Sequence, residues 1–361
     1  MFKSQKQIRT LYWQSAIGTF QIAGASWVAL LAARGFSLVE IGFAESMFHL
    51  TSLLCELPSG VVSDVFGRKK AMIVSQCLSI LATLAMLASH SMAGVLPAMV
   101  LSAMSYNFAS GTREALAYDS LKLSGEEEQY DVFSSTELII YRISNSSATL
   151  CAGLALMIGY RKAYFIDVIL GLLCLCVTLR LTEVRVEYKG NSPWQNVKSC
   201  ACESIRFLRG SRQAIRLIFL NAAVGAVATL LAFFLQARLP VCGLPRAALG
   251  PVLFAMGLGG VVGARAVLLV QGWPYGKVAA CSAAGVTLCL LGSLGRIPLL
   301  MALCGFIAAL LDDLLEVRSD VQLNRMVPSG QRATLLSVSS LCFSMIMMLL
   351  SPALGKLFSL V

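Results

Sequence analysis

Charge is scarce in this sequence. Of 361 residues, 13% are Asp, Glu, Lys or Arg, about half the share of a soluble domain. Too few charges remain to cover a water-facing surface, which excludes a soluble enzyme and a disordered chain. Histidine is scarcer still, with only His49 and His90. Cysteine occurs twelve times but without a pattern. Most copies lie inside apolar runs (Cys55, Cys77, Cys151, Cys174, Cys176, Cys281, Cys289, Cys304, Cys342), where the thiol acts as a small hydrophobe. Cys200 and Cys202 form a single CxC with no second pair and no histidine nearby. A secreted disulfide module is excluded, and neither a metal centre nor another cofactor is expected.

What the chain has is apolar length. Hydrophobic residues make up 57% and the mean hydropathy is +0.75. The solvent of such a chain is mostly lipid. Eleven stretches are long enough to cross a bilayer as helix: 11–32, 39–63, 71–89, 92–119, 133–159, 162–181, 214–236, 247–270, 277–294, 297–318 and 333–355. The predicted fold is therefore an all-α, polytopic membrane protein. The first stretch follows Lys3, Lys6 and Arg9 as a signal peptide would, but it is too long and has no clear cleavage site. It reads as an uncleaved span.

Lysine and arginine orient the spans. With the N-terminus in the cytoplasm, twenty of them fall on the inner side and seven on the outer, as the positive-inside rule requires. The net charge of +10 then reflects topology and attraction to anionic headgroups, not nucleic-acid binding. The expected location is the cell membrane.

One long inner loop, 182–213, separates six spans (1–181) from five (214–361). Within it Ser192, Pro193 and Gln195 have the chemistry of a helix start. Trp194, Val197, Ala201, Ile205 and Leu208 share a face, which suggests a helix lying on the membrane surface. A solvated linker with some helix is the alternative.

The loop after the second span reads Gly60-Val61-Val62-Ser63-Asp64-Val65-Phe66-Gly67-Arg68-Lys69-Lys70. Gly60 and Gly67 suit close helix approach and a tight turn. Asp64 at the membrane edge needs a cation or a helix N-terminus. The loop resembles the signature of the major facilitator superfamily. Ser37-Leu38-Val39-Glu40-Ile41-Gly42, Glu56-Leu57-Pro58-Ser59-Gly60, the stretch from Gly111 to Lys122, and Arg332 to Ser337 are similar to the drug:H⁺ antiporter-like branch. The resemblance implies two helical lobes that rock around a central site. It implies that Asp64 and Arg68, next to Lys69, form a charge network with Asp119. It also implies that Asp64 faces Ala333 and Thr334 in span 11, latching the lobes on the cytoplasmic side. Relative to the usual twelve spans, the twelfth is expected to be missing.

Charges inside spans are costly and face a partner or a cavity. Glu56, Arg113, Glu114, Glu137 and Arg142, with Tyr141, are expected to gather in the inner half of the first lobe. Glu137 or Glu114 is a candidate proton-coupling site, with Arg142 or Arg113 as switchable partner. A static ion-pair cluster is the alternative. Span 10 carries Asp312, Asp313 and Glu316, an acidic face suited to a cation or a proton; pairing with Arg318 is the alternative. Gln14, Gln21 and Trp27 in span 1, Tyr106 and Asn107 in span 4, and Asn221 in span 7 are candidate substrate-path groups, with Gln14 and Gln21 on one helical face.

The function these readings support is alternating-access transport of a small molecule, proton-coupled and directed outward, by a monomer. The expected partners are the substrate, protons and the bilayer. Two rivals remain at this point. One is a polytopic membrane enzyme, for which His49 and His90 lack the neighbours of a catalytic set. The other is a truncated, non-transporting remnant.

Overall fold

The computed structural model of the chain describes residues 4–184, 212–326 and 332–360, without the side chains of 57, 61, 64, 324, 325 and 332–337. The proposed surface helix after Ser192 lies outside the described residues. All regular structure among them is helical. In chain order the α-helices are α1 (Ser4–Thr19), α2 (Ile22–Ala25), α3 (Trp27–Ala33), α4 (Leu38–Phe66), α5 (Arg68–Ala88), α6 (Met92–Ala109), α7 (Thr112–Leu123), α8 (Tyr130–Leu150), α9 (Ala152–Ile158), α10 (Tyr160–Leu179), α11 (Arg212–Val241), α12 (Leu249–Ala266), α13 (Tyr275–Ser293), α14 (Pro298–Met326) and α15 (Arg332–Ser359).

Among the described residues, nine stretches are long and apolar enough to span a bilayer. The two expected spans outside that set are both broken. Span 1 is divided among α1, α2 and α3, and span 5 between α8 and α9 at Cys151. Span 4 also breaks, at Ser110 and Gly111, where a left-handed Gly111 (φ +70) ends α6 and begins α7. An apolar count registers length and misses such breaks, because a neighbouring side chain or helix satisfies the freed backbone groups.

The chain forms two compact units: residues 1–27 with 50–197, and 28–49 with 198–361. In the first, Leu11, Met72, Leu116, Leu121, Phe133 and Leu181 form a buried apolar cluster, with Tyr12 stacked on Phe133 at 5.4 Å. In the second, Leu217, Ile218, Leu323 and Val338 do the same. Helices α12 and α14 approach closely, because a β-carbon at Gly259 or Gly263 would collide with the backbone of Phe306 or Leu310. Small residues spaced by four permit this kind of packing in lipid.

Local chemistry fixes several ends. At the start of α4, Glu40 accepts from the Ser37 backbone N–H (2.8 Å) and hydroxyl (2.7 Å), while the Ser37 hydroxyl accepts from the Glu40 N–H (3.2 Å). This is a capping box. Arg238, two residues past the expected span 214–236, is buried within α11. Its guanidinium donates to the carbonyls of Ser293 (3.2 Å) and Leu294 (3.3 Å) and lies over the Phe358 ring. The cation caps the C-terminal end of α13, where carbonyls lack helical partners.

Candidate functional site

The first unit holds a buried charge cluster assembled by three of its helices. The break at Gly111 places Arg113 in the first turn of α7. There its Nε donates to Gln14 Oε1 from α1 (2.9 Å), and a terminal nitrogen donates to Glu137 Oε1 from α8 (2.8 Å). Glu137 is 8% exposed. Its second oxygen has no hydrogen-bond partner among the described residues. One oxygen is thus fixed by a cation, and the other lone-pair face is left to a proton or a ligand.

The geometry revises several expectations. The partner of Glu137 is Arg113. Arg142, five residues further along α8, turns about 140° away from Glu137 and is exposed. Tyr141 is exposed too. Glu56, Glu114 and Tyr141 lie within electrostatic range of Tyr106. Gln14 and Gln21 do not share a helical face, because the helix breaks between them. Gln14 is buried against Arg113, and Gln21 reaches Ser79 (3.5 Å). Asn107 is buried as well. It accepts from the Ser52 hydroxyl and donates to the Ser52 carbonyl, both at 2.9 Å, which pins α6 to α4. Trp27 opens α3 half-buried, and Tyr106 is exposed.

The signature loop is described in part. Gly67 adopts φ +105 between α4 and α5, a conformation that favours glycine. Gly60 lies within α4 and is exposed. Arg68 pairs with Asp119 and donates to the Ala115 carbonyl. The side chains of Asp64, Ala333 and Thr334 lie outside the described residues, and so does the expected latch. An acid not anticipated from the sequence sits here. Glu183 accepts from the backbone N–H groups of Lys69 (3.2 Å) and Lys70 (3.4 Å) at the N-terminus of α5, where a negative charge is favoured. Its signal was an acid immediately after span 6.

Asp167 was missed altogether. It is 2% exposed, and its two oxygens accept from the N–H groups of Ile22 (2.8 Å), Ala23 (2.9 Å) and Gly24 (2.9 Å). These are donors that the break at Phe20 and Gln21 frees. A lone acid in span 6 was the available signal.

In the second unit, Asp312 and Asp313 diverge. The Asp312 carboxylate lies against Gly225 of α11, 3.2 Å from where a β-carbon would stand, while that of Asp313 lies against Gly260 of α12. Consecutive helix positions point about 100° apart. One turn from Gly225, the Asn221 side-chain oxygen is buried without a partner among the described residues. Glu316 is exposed. Arg318 donates to the carbonyls of Gln271 (3.2 Å) and Trp273 (2.9 Å), at the connection that follows α12. His49 does have an acidic neighbour: Glu45, one turn earlier on α4, at 3.2 Å.

The sequence profile of the Major Facilitator Superfamily matches residues 11–352. The chain belongs to this superfamily. Its fold is similar to the crystal structure of the nucleoside transporter NupG, with a TM-score of 0.74, 13% identity, and coverage of 100% of this chain and 92% of that one. It is similar to the peptide transporter POT in complex with sulfate, with a TM-score of 0.69, 13% identity, and coverage of 98% and 90%. A bacterial homolog to the human lysosomal transporter Spinster, inward-facing and unoccupied, gives 0.68, 15% identity, and coverage of 97% and 81%. No curated protein matches the sequence significantly. A superfamily transporter is a multi-pass membrane protein that moves a small molecule, and that much holds for this chain.

Proposed function

We propose that this transporter is proton-coupled and that Glu137 carries the proton. The observation that supports this is the asymmetry of its carboxylate: one oxygen on Arg113, the other buried and unpartnered among the described residues. A proton on that second oxygen supplies the hydrogen-bonding atom the site lacks. Protonation weakens its hold on Arg113, and the freed guanidinium is then available to Gln14 or to an anionic group of the cargo. The charge step and the conformational step are thereby linked through one ion pair.

The cargo we propose is a small organic molecule with a cationic or lipophilic character, exported across the cell membrane in the manner of the drug:H⁺ antiporter-like branch. Asp312 against Gly225, one turn along α11 from the Asn221 oxygen that is unpartnered among the described residues, is the feature that supports a cationic group. The moving bodies are the lobes 1–181 and 214–361, with the N-terminus in the cytoplasm, in a monomer. The signature-loop pair Arg68–Asp119 holds the end of α7 against α5 during that motion. The neighbours are described as carrying nucleosides and peptides, so both classes belong in a first panel of substrates.

The test is flux in proteoliposomes under an imposed pH gradient. Gradient-driven movement of a panel member supports the reading. Turnover of the compound without movement would instead support a membrane enzyme, and the absence of both would fit a non-transporting remnant.

A further inference from the structure

His49 is one of two histidines in the chain and sits about 16 Å along α4 from its start at Leu38, near mid-helix. It is 8% exposed, and Glu45, its neighbour one turn back, is 7% exposed. The His49 Nε2 is 3.2 Å from Glu45 Oε1. The other ring nitrogen, Nδ1, is 3.3 Å from the hydroxyl of Ser344 on α15. Phe48 and Phe343 meet the ring edge-on, at 5.4 and 5.8 Å. Around this point α4 and α15 are tightly joined. Ser46 donates to the Met348 carbonyl at 2.6 Å. A β-carbon at Gly42 would strike the backbone of Ser351 and Pro352, and one at Gly355 would strike that of Leu38.

The charges facing the ring are few. On α4 the ionisable neighbour is Glu45. From α15 the ring meets Ser344 and Phe343, which are uncharged; the described ionisable side chains of that helix are Cys342 and Lys356, the latter exposed about 18 Å along the axis from Ser344. Behind Phe343, at Gly225, stands Asp312 of α14. An ionised Glu45 only accepts, so a neutral His49 must carry its hydrogen on Nε2 and accept from Ser344 through Nδ1. A protonated ring donates to both partners. The hydrogen bond between α4 and α15 therefore reverses its direction with one proton.

We propose that His49 and Glu45 form a proton-binding site, and that its occupancy controls the seating of α4 on α15. With the proton bound, the pair is a neutral ion pair and tolerates burial. Without it, the buried Glu45 keeps a net negative charge, and burial of an unpaired charge opposes the packed arrangement. Acid therefore favours the seated helices, and base favours their separation. This inference does not depend on Glu137 or on transport.

The test is nitrogen-15 NMR of the full chain with labelled histidine in lipid nanodiscs, between pH 5 and 9. Exposed His90 serves as the solvent reference and is assigned with His90→Gln. The expected result is a titrating His49 whose neutral form carries its hydrogen on Nε2. Glu45→Gln should shrink its imidazolium signal at a given pH by roughly tenfold, the effect of removing a carboxylate in contact. Hydrogen exchange of 38–49 and 343–355, corrected for intrinsic rates, should speed up as the imidazolium is lost. Ser344→Ala should leave the titration in place and flatten that exchange response. A His49 that stays neutral throughout, a signal indifferent to Glu45→Gln, or exchange that ignores the titration would overturn the proposal.

Discussion

Two buried carboxylates in the first unit do opposite work. Asp167 has its acceptors met by three backbone N–H groups, so it holds the break in span 1 in place. Asp167→Ala orphans those donors, each at a cost of about 1–3 kcal/mol. We expect a clear fall in thermal stability and faster hydrogen exchange at 21–25, with Asp167→Asn intermediate because its amide keeps one acceptor oxygen. Glu137 has acceptors to spare. Arg113→Met strands it as a buried, uncompensated charge, which costs about 3–5 kcal/mol. Adding Glu137→Gln to Arg113→Met should recover most of that loss in a thermal unfolding assay. If the double variant is no more stable than Arg113→Met, the two residues are not an energetic pair.

At the scale of helices, the contact between α12 and α14 gives a sharp contrast. Gly263→Ala drives a methyl group into the Leu310 backbone, whereas Gly257→Ala on the same helix meets nothing within 4 Å. The first should destabilise by about 1–3 kcal/mol, the usual range for overpacking, and the second should leave the unfolding temperature unchanged. Equal effects would mean that the helices are not in this contact. Apolar length made the spans legible in the sequence, and Ser37 with Glu40 announced the start of α4. The breaks at Phe20, Gly111 and Cys151 were not legible. Each is stabilised by a side chain or a turn that hydropathy does not weigh, such as Asp167 from a helix some 145 positions away. For the same reason the pairing of Glu137 with Arg113 was open in the sequence. Both candidate arginines lie near its height along the spans, and only the start of α7 selects one. Glu45 and His49 could have been found by their spacing of four within a span.

For the whole molecule, the proposed coupling ties net, gradient-driven movement of cargo to protonation of the half-satisfied carboxylate beside Arg113. The most direct measurement is pH-gradient-driven flux in proteoliposomes, set beside gradient-free exchange of labelled for unlabelled substrate, for the natural chain and for Glu137→Gln. The account predicts that the variant loses gradient-driven accumulation and keeps exchange, because the cargo still binds and the lobes still move. Gradient-driven accumulation that survives in Glu137→Gln at the natural rate would contradict it.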